Sequence, residues 1–331
     1  MRGDRISVLE AAYHLGDPEP EWLGRVVDSL SSCLDRGSSL VAYGYDFSDP
    51  ARPRVDPVID HGMPPGWADA ALPAHLAMPH EQRMVMYRSG PCTTTRAVFG
   101  KLRERYVVSD RMRAAFGVQD FLVITAANPN DTGCSVLVPA ADRVDITRRE
   151  AQAWAQLAAH VAVGRRLRAS IANDVATLSD RGDAVLEPGG ELKHAVGSAA
   201  EGPAREALRR AARAIDRARS GLRRRDADEA MALWQGLVSG QWTLVDHFDS
   251  DGRRFVVAVR NVPETRTSPG LSELERCVLG YVALGHPYKL VAYELGVSVS
   301  TVSAAVAAIC KKLGVAGRVE LAGLLGQRLA G

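Results

Sequence analysis

The chain has 331 residues, a formal net charge of +2, and 46% hydrophobic and 24% charged residues. These values are typical of globular proteins, and the length favours two or three domains. Since no apolar run approaches about 18 residues and the N-terminus lacks the apolar core of a secretory signal, we expect a cytoplasmic protein with no membrane partner. The five cysteines form no CxxC pair, which favours reduced thiols and argues against a zinc cluster.

The first half of the chain alternates between helical and strand patterns. In chain order, we predict helices within 5–36, strands at 40–47 and 54–59, a helical zone at 67–87, a loop at 89–95, a short helix at 110–116, strands at 121–125 and 135–139, and a long helix at 146–171. This layout resembles a GAF-type domain. The resemblance implies a sensory or dimerising domain over residues 1–178.

Residues 179–263 are predicted to form a small α/β module. A hairpin is expected within 183–195, helices within 203–222 and 227–238, and a second hairpin from strands 241–248 and 253–260. Two hairpins around central helices resemble a PAS-type module. Residues 264–270, rich in proline, threonine and glycine, are expected to be a linker.

Candidate sites in the first 263 residues are few. A pocket for a signal molecule could be lined by aromatic and methionine side chains, although such residues are more often plain core: Tyr43, Tyr45, Trp67, Met84 and Phe121. The arginine run from Arg205 to Arg225 could be a DNA-binding arm, but a solvated helix face is the favoured interpretation. No catalytic, cofactor-binding or metal-ligand motif is present, so we do not expect an enzyme.

The last sixty residues carry the most specific pattern. Two helical segments flank the break at Leu295–Ser298, and the second segment places Val302, Val306, Ile309 and Leu313 on one apolar stripe. Ser298 to Thr301 can cap the second helix, as in a helix-turn-helix. The residues that agree with a known family in order and spacing are Leu271, Ser272, Glu275, Val278, Leu279, Gly285, Lys289, Val291, Ala292, Leu295–Ser298, Thr301, Val302, Lys312–Val315, Arg318, Glu320 and Leu321.

This pattern resembles the LuxR-type DNA-binding domain of bacterial transcription regulators, here at residues 271–331. The resemblance implies double-stranded DNA as a partner, with the second helix in the major groove. It places Ser303, Ala304 and Ala307 opposite base edges and the following residues at phosphates: Lys289, Thr301, Lys311 and Lys312.

The residues expected on the exposed face of the second helix differ from those usual in the family. We expect Ser303, Ala304, Ala305, Ala307 and Ala308 to be exposed, whereas the family often has Asn and His at the positions of Ala304 and Ala305. Alanine cannot make the bidentate hydrogen bonds that discriminate bases by about 1–3 kcal/mol. Sequence selectivity is therefore expected to be weak, or to come from DNA shape and dimer spacing.

The terminal helix implies a homodimer. In the family this helix pairs two subunits, which assigns dimer contacts to Leu321, Leu324 and Leu325; core packing of the same helix is the alternative. The predicted fold class is α+β, with GAF/PAS-like α/β domains followed by an all-α, four-helix LuxR-type domain.

The predicted function is a dimeric DNA-binding transcription regulator whose N-terminal region senses an unidentified small molecule or protein. The alternative is an interaction protein whose helix-turn-helix contacts a protein partner instead of DNA.

Overall fold

The computed structural model describes residues 3–34, 39–102, 115–171, 178–265, 269–317 and 320–321. The first part of the chain contains the helices and strands α1 (Arg5–Ala12), α2 (Glu19–Cys33), β1 (Leu40–Asp46), β2 (Arg54–His61), α3 (Trp67–Leu76), α4 (His80–Tyr87), β3 (Cys92–Thr94), α5 (Thr95–Leu102), β4 (Asp120–Ala127), β5 (Thr132–Ala140) and α6 (Arg148–Ile171).

The first sheet has five antiparallel strands in the order β2-β1-β5-β4-β3. Alternate residues of its central strands enter two different cores. Ala42 and Val136 pack with α1, α2 and α6, while Tyr43 and Leu137 pack with α3 and α4 on the opposite face. Because both faces are covered, the central strands are hydrophobic almost throughout.

The second sheet lies in the middle of the chain. It has the antiparallel order β7-β6-β9-β8. The elements of this region are α7 (Leu178–Arg181), β6 (Ala184–Leu186), β7 (Leu192–Ala195), α8 (Gly202–Arg217), α9 (Ala227–Leu233), β8 (Trp242–Phe248) and β9 (Arg254–Arg260). One buried cluster contains residues of α1, α2 and α6 together with residues of both sheets. The two sheets therefore share a core across the expected boundary at residue 178.

Two sequence predictions in this part of the chain were wrong. The expected loop at 89–95 contains β3, which pairs with β4 through Cys92 and Ile124. The helix expected at 227–238 ends at Leu233, because Trp234 takes an extended conformation and its ring is buried. The predicted helix at 110–116 lies mostly outside the described residues.

Two arginines of the run from Arg205 to Arg225 form ion pairs within the protein. Arg219 forms a 2.5 Å ion pair with Asp246, and Arg223 pairs with Asp4 and Glu10 of the N-terminal region. Arg219 also lies over the ring of Trp234, with 4.4 Å from its guanidinium carbon to the ring centroid. These contacts give Arg219 and Arg223 structural roles instead of a fully solvated position.

The described residues of the C-terminal region include the helices α10 (Glu273–Ala283), α11 (Tyr288–Leu295) and α12 (Val299–Leu313). Residues 320–321 are also helical, and the rest of the expected fourth helix lies outside the described residues. Within the described ranges, no single helix is long and apolar enough to cross a membrane. The bent pair α11 and α12, with 109° between its members, meets that length and composition test together.

Candidate nucleic-acid interface

Helices α11 and α12 form a helix-turn-helix. Gly296 ends α11 in the left-handed conformation, with φ of 60°, and Ser298 caps α12 by accepting a hydrogen bond of 3.0 Å from the Thr301 backbone N–H. The bend of 109° between the two helices lies in the range of this motif. A glycine C′ residue and a serine N-cap explain why the chain turns here.

The predicted apolar stripe of α12 is confirmed. Val302 and Ile309 are fully buried and Val306 is nearly so, all three in the core formed with α10 and α11. Leu313 is partly buried at the edge of that core. The stripe fixes the rotation of α12 about its axis and hence decides which residues face solvent.

Ser303, Ala304 and Ala307, which we call the reading face, lie in the middle of the solvent-facing side of α12. All three are exposed, in agreement with their expected position. Ala305, which was expected beside them, is 8% exposed and belongs to the core. Position 305 lies next to Val306 and Val302 in the helical repeat, so its methyl group turns inward.

Hydroxyl groups surround the N-terminus of α12. The Ser298 Oγ lies 2.7 Å from the Ser300 Oγ and 2.8 Å from the Thr301 Oγ1. Thr301 is partly exposed beside them. Hydroxyls and free backbone N–H groups at a helix N-terminus are suited to bind a phosphate oxygen.

The three lysines of the predicted interface differ in their surroundings. Lys289 and Lys311 are exposed, and neither forms an ion pair with any described carboxylate. Lys312 donates to both carboxylate oxygens of Glu275, at 2.8 and 2.7 Å. Glu275 also completes the capping box of α10 with Ser272. Lys312 therefore braces α12 against α10 as well as presenting charge.

The Lys312 ammonium and the Ser272 backbone N–H lower the pKa of the Glu275 carboxyl. The carboxylate form of Glu275 is thus the form that the folded domain stabilises.

Leu321 is fully buried in the core of its own domain. The burial of its side chain within one chain favours core packing, the alternative for this helix, and a dimer contact by Leu321 stays a prediction. Leu324 and Leu325 lie outside the described residues.

The first helix of the motif, α11, is attached to the preceding domains, and this was not foreseen from the sequence. Leu290 and Tyr293 pack on Ala155 and Ala159 of α6. The Tyr293 hydroxyl lies 2.9 Å from the Met231 carbonyl oxygen and 2.7 Å from that of Trp234, to which it donates.

His160 connects this contact to the N-terminus. Its Nε2 lies 2.5 Å from the Tyr293 hydroxyl and its Nδ1 lies 2.7 Å from the Tyr13 hydroxyl. Since Tyr293 donates to a carbonyl, the consistent tautomer has Nε2–H donating to Tyr293 and Nδ1 accepting from Tyr13. Burial lowers the pKa of His160 to about 3, so the ring is neutral.

The turn of the motif is also fitted closely against the preceding domain. A Cβ placed on Gly296 would lie 1.9 Å from the Leu237 carbonyl oxygen. Leu237 itself belongs to the buried core of the C-terminal domain. Gly296 is therefore required both for its left-handed backbone and for this close approach.

The aromatic and methionine residues expected around a pocket lie together. Tyr43, Tyr45, Trp67, Met84 and Phe121 are all in the buried cluster between the first sheet and α3–α4. The Tyr45 hydroxyl and the Trp67 Nε1 are buried without a hydrogen-bond partner in the described part of the chain. Among the described residues, no group of three or more His, Cys, Asp or Glu side chains could hold a metal ion.

Comparison with known proteins assigns the C-terminal region. Residues 269–325 match the family model described as bacterial regulatory proteins, luxR family. These residues are therefore a helix-turn-helix domain of that family, as the resemblance implied. No curated protein sequence matches the chain.

Among solved structures, the crystal structure of Escherichia coli SdiA is similar over 96% of this chain and 93% of that chain. The two sequences are 12% identical and the TM-score is 0.35. A likeness at that level assigns neither a fold nor a function to residues before 269.

Proposed function

We propose that the protein is a DNA-binding transcription regulator that acts as a dimer and places the reading faces of two α12 helices in successive major grooves. The observation that carries the proposal is the solvent exposure of this face together with the exposed cations beside it. α12 packs on α10 and α11 through its apolar stripe, which leaves Ser303, Ala304 and Ala307 accessible.

Phosphate contacts supply the affinity in this mechanism. Lys289 and Lys311 approach the DNA backbone with uncompensated charge, and Thr301 and the α12 N-terminus donate hydrogen bonds to a phosphate. Lys312 contributes less, because Glu275 already neutralises it.

Base reading is limited by the side chains of α12. Ser303 can exchange one hydrogen bond with a base edge, while Ala304 and Ala307 offer only methyl groups for contact with thymine. Preference among sequences then comes chiefly from DNA deformability and from the spacing of two half-sites.

The N-terminal region is proposed to sense a signal molecule or a protein. Its buried cluster contains two polar atoms without partners, the Tyr45 hydroxyl and the Trp67 Nε1. A bound ligand that hydrogen-bonds them would remove the cost of leaving them unsatisfied. The contact between α6 and α11 gives such a signal a physical route to the helix-turn-helix.

Fluorescence polarisation with a labelled, non-specific duplex at two salt concentrations tests the proposal. We expect Lys289→Ala to weaken binding to every duplex and to reduce the salt slope by about 1, since one phosphate contact is lost. Lys193→Ala, an exposed lysine on β7 in the second sheet, is the matched control and should leave both quantities unchanged. If wild type and Lys289→Ala have equal salt slopes, Lys289 makes no contact with a DNA phosphate.

The second candidate function is an interaction protein whose α12 contacts a protein partner. The methyl groups of Ala304 and Ala307 favour it, because they present apolar surface where a DNA reader usually presents hydrogen-bonding groups. Absence of duplex binding at micromolar protein and low salt would support this function over the first.

A further inference from the structure

A cavity of about 620 Å³ lies where the first sheet, α6 and the strand leading to the C-terminal domain meet. We call it the junction cavity. Its walls come from the end of α6, from the β4–β5 turn at Asn128–Thr132, and from residues 260–264. Its volume is that of a small-molecule site, which is too small for a duplex or a folded domain.

We infer that the junction cavity binds the anionic group of a small organic molecule, a carboxylate or a phosphate. Four arginines line it, namely Arg165, Arg166, Arg168 and Arg260. Such a density of guanidinium groups around one concave site is suited to planar, charge-assisted hydrogen bonding.

The arginines of the cavity are compensated to different degrees. Arg165 forms a 2.8 Å ion pair with Glu19, and Arg260 forms one of 3.3 Å with Glu273. Arg168 donates to the Leu15 carbonyl oxygen at 3.0 Å and lies over the ring of Trp22.

Arg166 differs from Arg165 and Arg260 because its described hydrogen bonds all go to neutral groups. Its Nε donates to the Asn261 carbonyl oxygen and side-chain oxygen, at 3.2 and 3.0 Å. Its Nη1 donates to the Asn128 Oδ1 at 2.6 Å and to the Tyr281 hydroxyl at 3.4 Å. Its Nη2 is buried without a partner among the described residues.

This arrangement leaves a full positive charge beside the cavity, with no described carboxylate within ion-pair distance. Arg166 is partly buried, so water screens its charge less than that of a fully exposed arginine, and its attraction for an anion is correspondingly stronger. An anion in the cavity would therefore be stabilised by Arg166 even where Asn128 and Asn261 keep their hydrogen bonds.

The carboxylates that line the cavity do not cancel this charge. Asp46 is paired with Arg54 at 2.6 Å, as Glu19 is with Arg165. Glu264 accepts a 3.0 Å hydrogen bond from the Asn130 amide and is exposed. Glu264 is thus the carboxylate that would oppose a bound anion most directly.

The site is distinct from the reading face and from the aromatic cluster of the first sheet. Because Tyr281 belongs to α10 and Asn261 directly follows β9 on the way to the linker, an anion here would lie against the attachment of the C-terminal domain. Its binding requires no DNA, so it is tested independently of the proposed function.

The test is calorimetric titration of the full chain, without DNA, with two probes at constant ionic strength adjusted with sodium chloride. Inorganic phosphate represents phosphorylated molecules and succinate represents carboxylates. We expect saturable binding of one probe or both, with a dissociation constant of about 1 mM, the range of a few charged contacts. Comparison of the probes identifies which anionic group the site prefers.

Three variants assign the binding to the cavity. Arg166→Gln should weaken the preferred probe about 10-fold, because the uncompensated charge is removed. Glu264→Gln should tighten it about 3-fold, because an opposing charge is removed. Arg149→Gln, an exposed arginine at the other end of α6, is the control and should bind as wild type does.

Absence of saturable binding by both probes overturns the inference, as does equal affinity of wild type and Arg166→Gln. If Arg166→Gln does not fold, Glu264→Gln decides alone, since its exposed side chain can change without loss of the fold. Tighter binding then supports the site, and unchanged affinity overturns it.

Discussion

The two helices of the helix-turn-helix meet the rest of the chain in opposite ways. α11 is joined to the preceding domains by packing on α6, by the Tyr293 hydroxyl and by the close approach at Gly296. α12 packs inside its own domain and presents Ser303, Ala304 and Ala307 to solvent, with Lys311 and Lys312 exposed near its end. The difference separates two sets of residues: substitution of the buried contacts of α11 should affect folding, whereas substitution of exposed residues of the motif, such as Lys289 and Lys311, should affect DNA binding.

The sharpest test of this separation compares the glycines that end the two helices. Gly296 and Gly314 have similar left-handed φ values, 60° and 69°. A Cβ at Gly296 would lie 1.9 Å from the Leu237 carbonyl oxygen, whereas no atom of the described residues lies within 4 Å of one at Gly314.

We expect Gly314→Ala to lower the free energy of unfolding by about 1–2 kcal/mol, the cost of the left-handed backbone alone. Gly296→Ala should lower it by about 3 kcal/mol or more, because the clash with Leu237 adds to that cost. Urea denaturation measures both. Equal losses for the two variants would mean that α11 is not held against the preceding domain.

The next largest loss of stability is expected from removal of the Tyr293 hydroxyl, which joins α11 to His160. Tyr293→Phe keeps the ring and its packing but leaves the His160 Nε2–H without an acceptor in a buried site. We expect a loss of about 1–3 kcal/mol in the free energy of unfolding. Ser300→Ala, at an exposed position of α12, is the control, and its free energy of unfolding should change by no more than about 0.5 kcal/mol. A similarly small change for Tyr293→Phe would contradict a role in docking.

Stability should also fall in mild acid through His160. Its pKa is about 3 in the folded protein against 6.5 for the ordinary side chain, so only the unfolded chain takes up the proton between these values. The stability contributed by the neutral ring is complete above about pH 6.5 and is lost as the pH falls towards 3. The loss between pH 6.5 and 5 should be about 1.6 kcal/mol, with the slope approaching about 1.4 kcal/mol per pH unit near pH 5.

Urea denaturation at pH 7, 6 and 5 measures this slope. His160→Asn should reduce this pH slope by the contribution of one histidine. His194→Asn, at an exposed position, should leave the slope unchanged. Buried His75, whose pKa is lowered to about 4 by desolvation, will keep part of the slope in both variants. An unchanged slope in His160→Asn would show that the pKa of this ring is the same in the folded protein as in the unfolded chain, which contradicts its burial.

The smallest effects are expected from adjacent lysines at the end of α12. Lys312→Met breaks the pair with Glu275 and should lower the free energy of unfolding by up to about 1 kcal/mol, since the Lys312 side chain is partly exposed. Lys311→Met should leave stability unchanged and weaken DNA binding more than Lys312→Met does. Polarisation and urea measurements on both variants compare them, and a reversed order of DNA affinities would place Lys312 at the phosphates.

Local patterns predicted most elements of the fold. Period-two alternation located β8 and β9, and the stripe of Val302, Val306 and Ile309 located α12. The patterns missed β3, because three residues with proline and glycine nearby carry a turn signal, and only pairing with β4 makes them a strand. They also extended the helix beyond Leu233, because Trp234, Leu237 and Val238 are apolar residues whose burial outside a helix follows from tertiary contacts.

The sequence also predicted only part of the candidate interface and of its surroundings. The exposure of Ser303, Ala304 and Ala307 follows from helical periodicity, whereas the burial of Leu321 depends on tertiary packing. Nothing in the sequence indicated that His160 contacts Tyr293, since a single histidine within an apolar helix is typical of a core residue.

By itself, the sequence determined the helix-turn-helix: its caps, its apolar stripe and its alanine-rich reading face are set within about sixty residues by short-range hydrogen bonds and periodicity. Only the tertiary structure decided where that domain is held. The contacts of Tyr293 with His160 and of Gly296 with Leu237 join residues 59 or more positions apart. The same holds for Arg166 and Tyr281. Such partners leave no local pattern, because their chemistry appears only when the chain is folded and water is excluded.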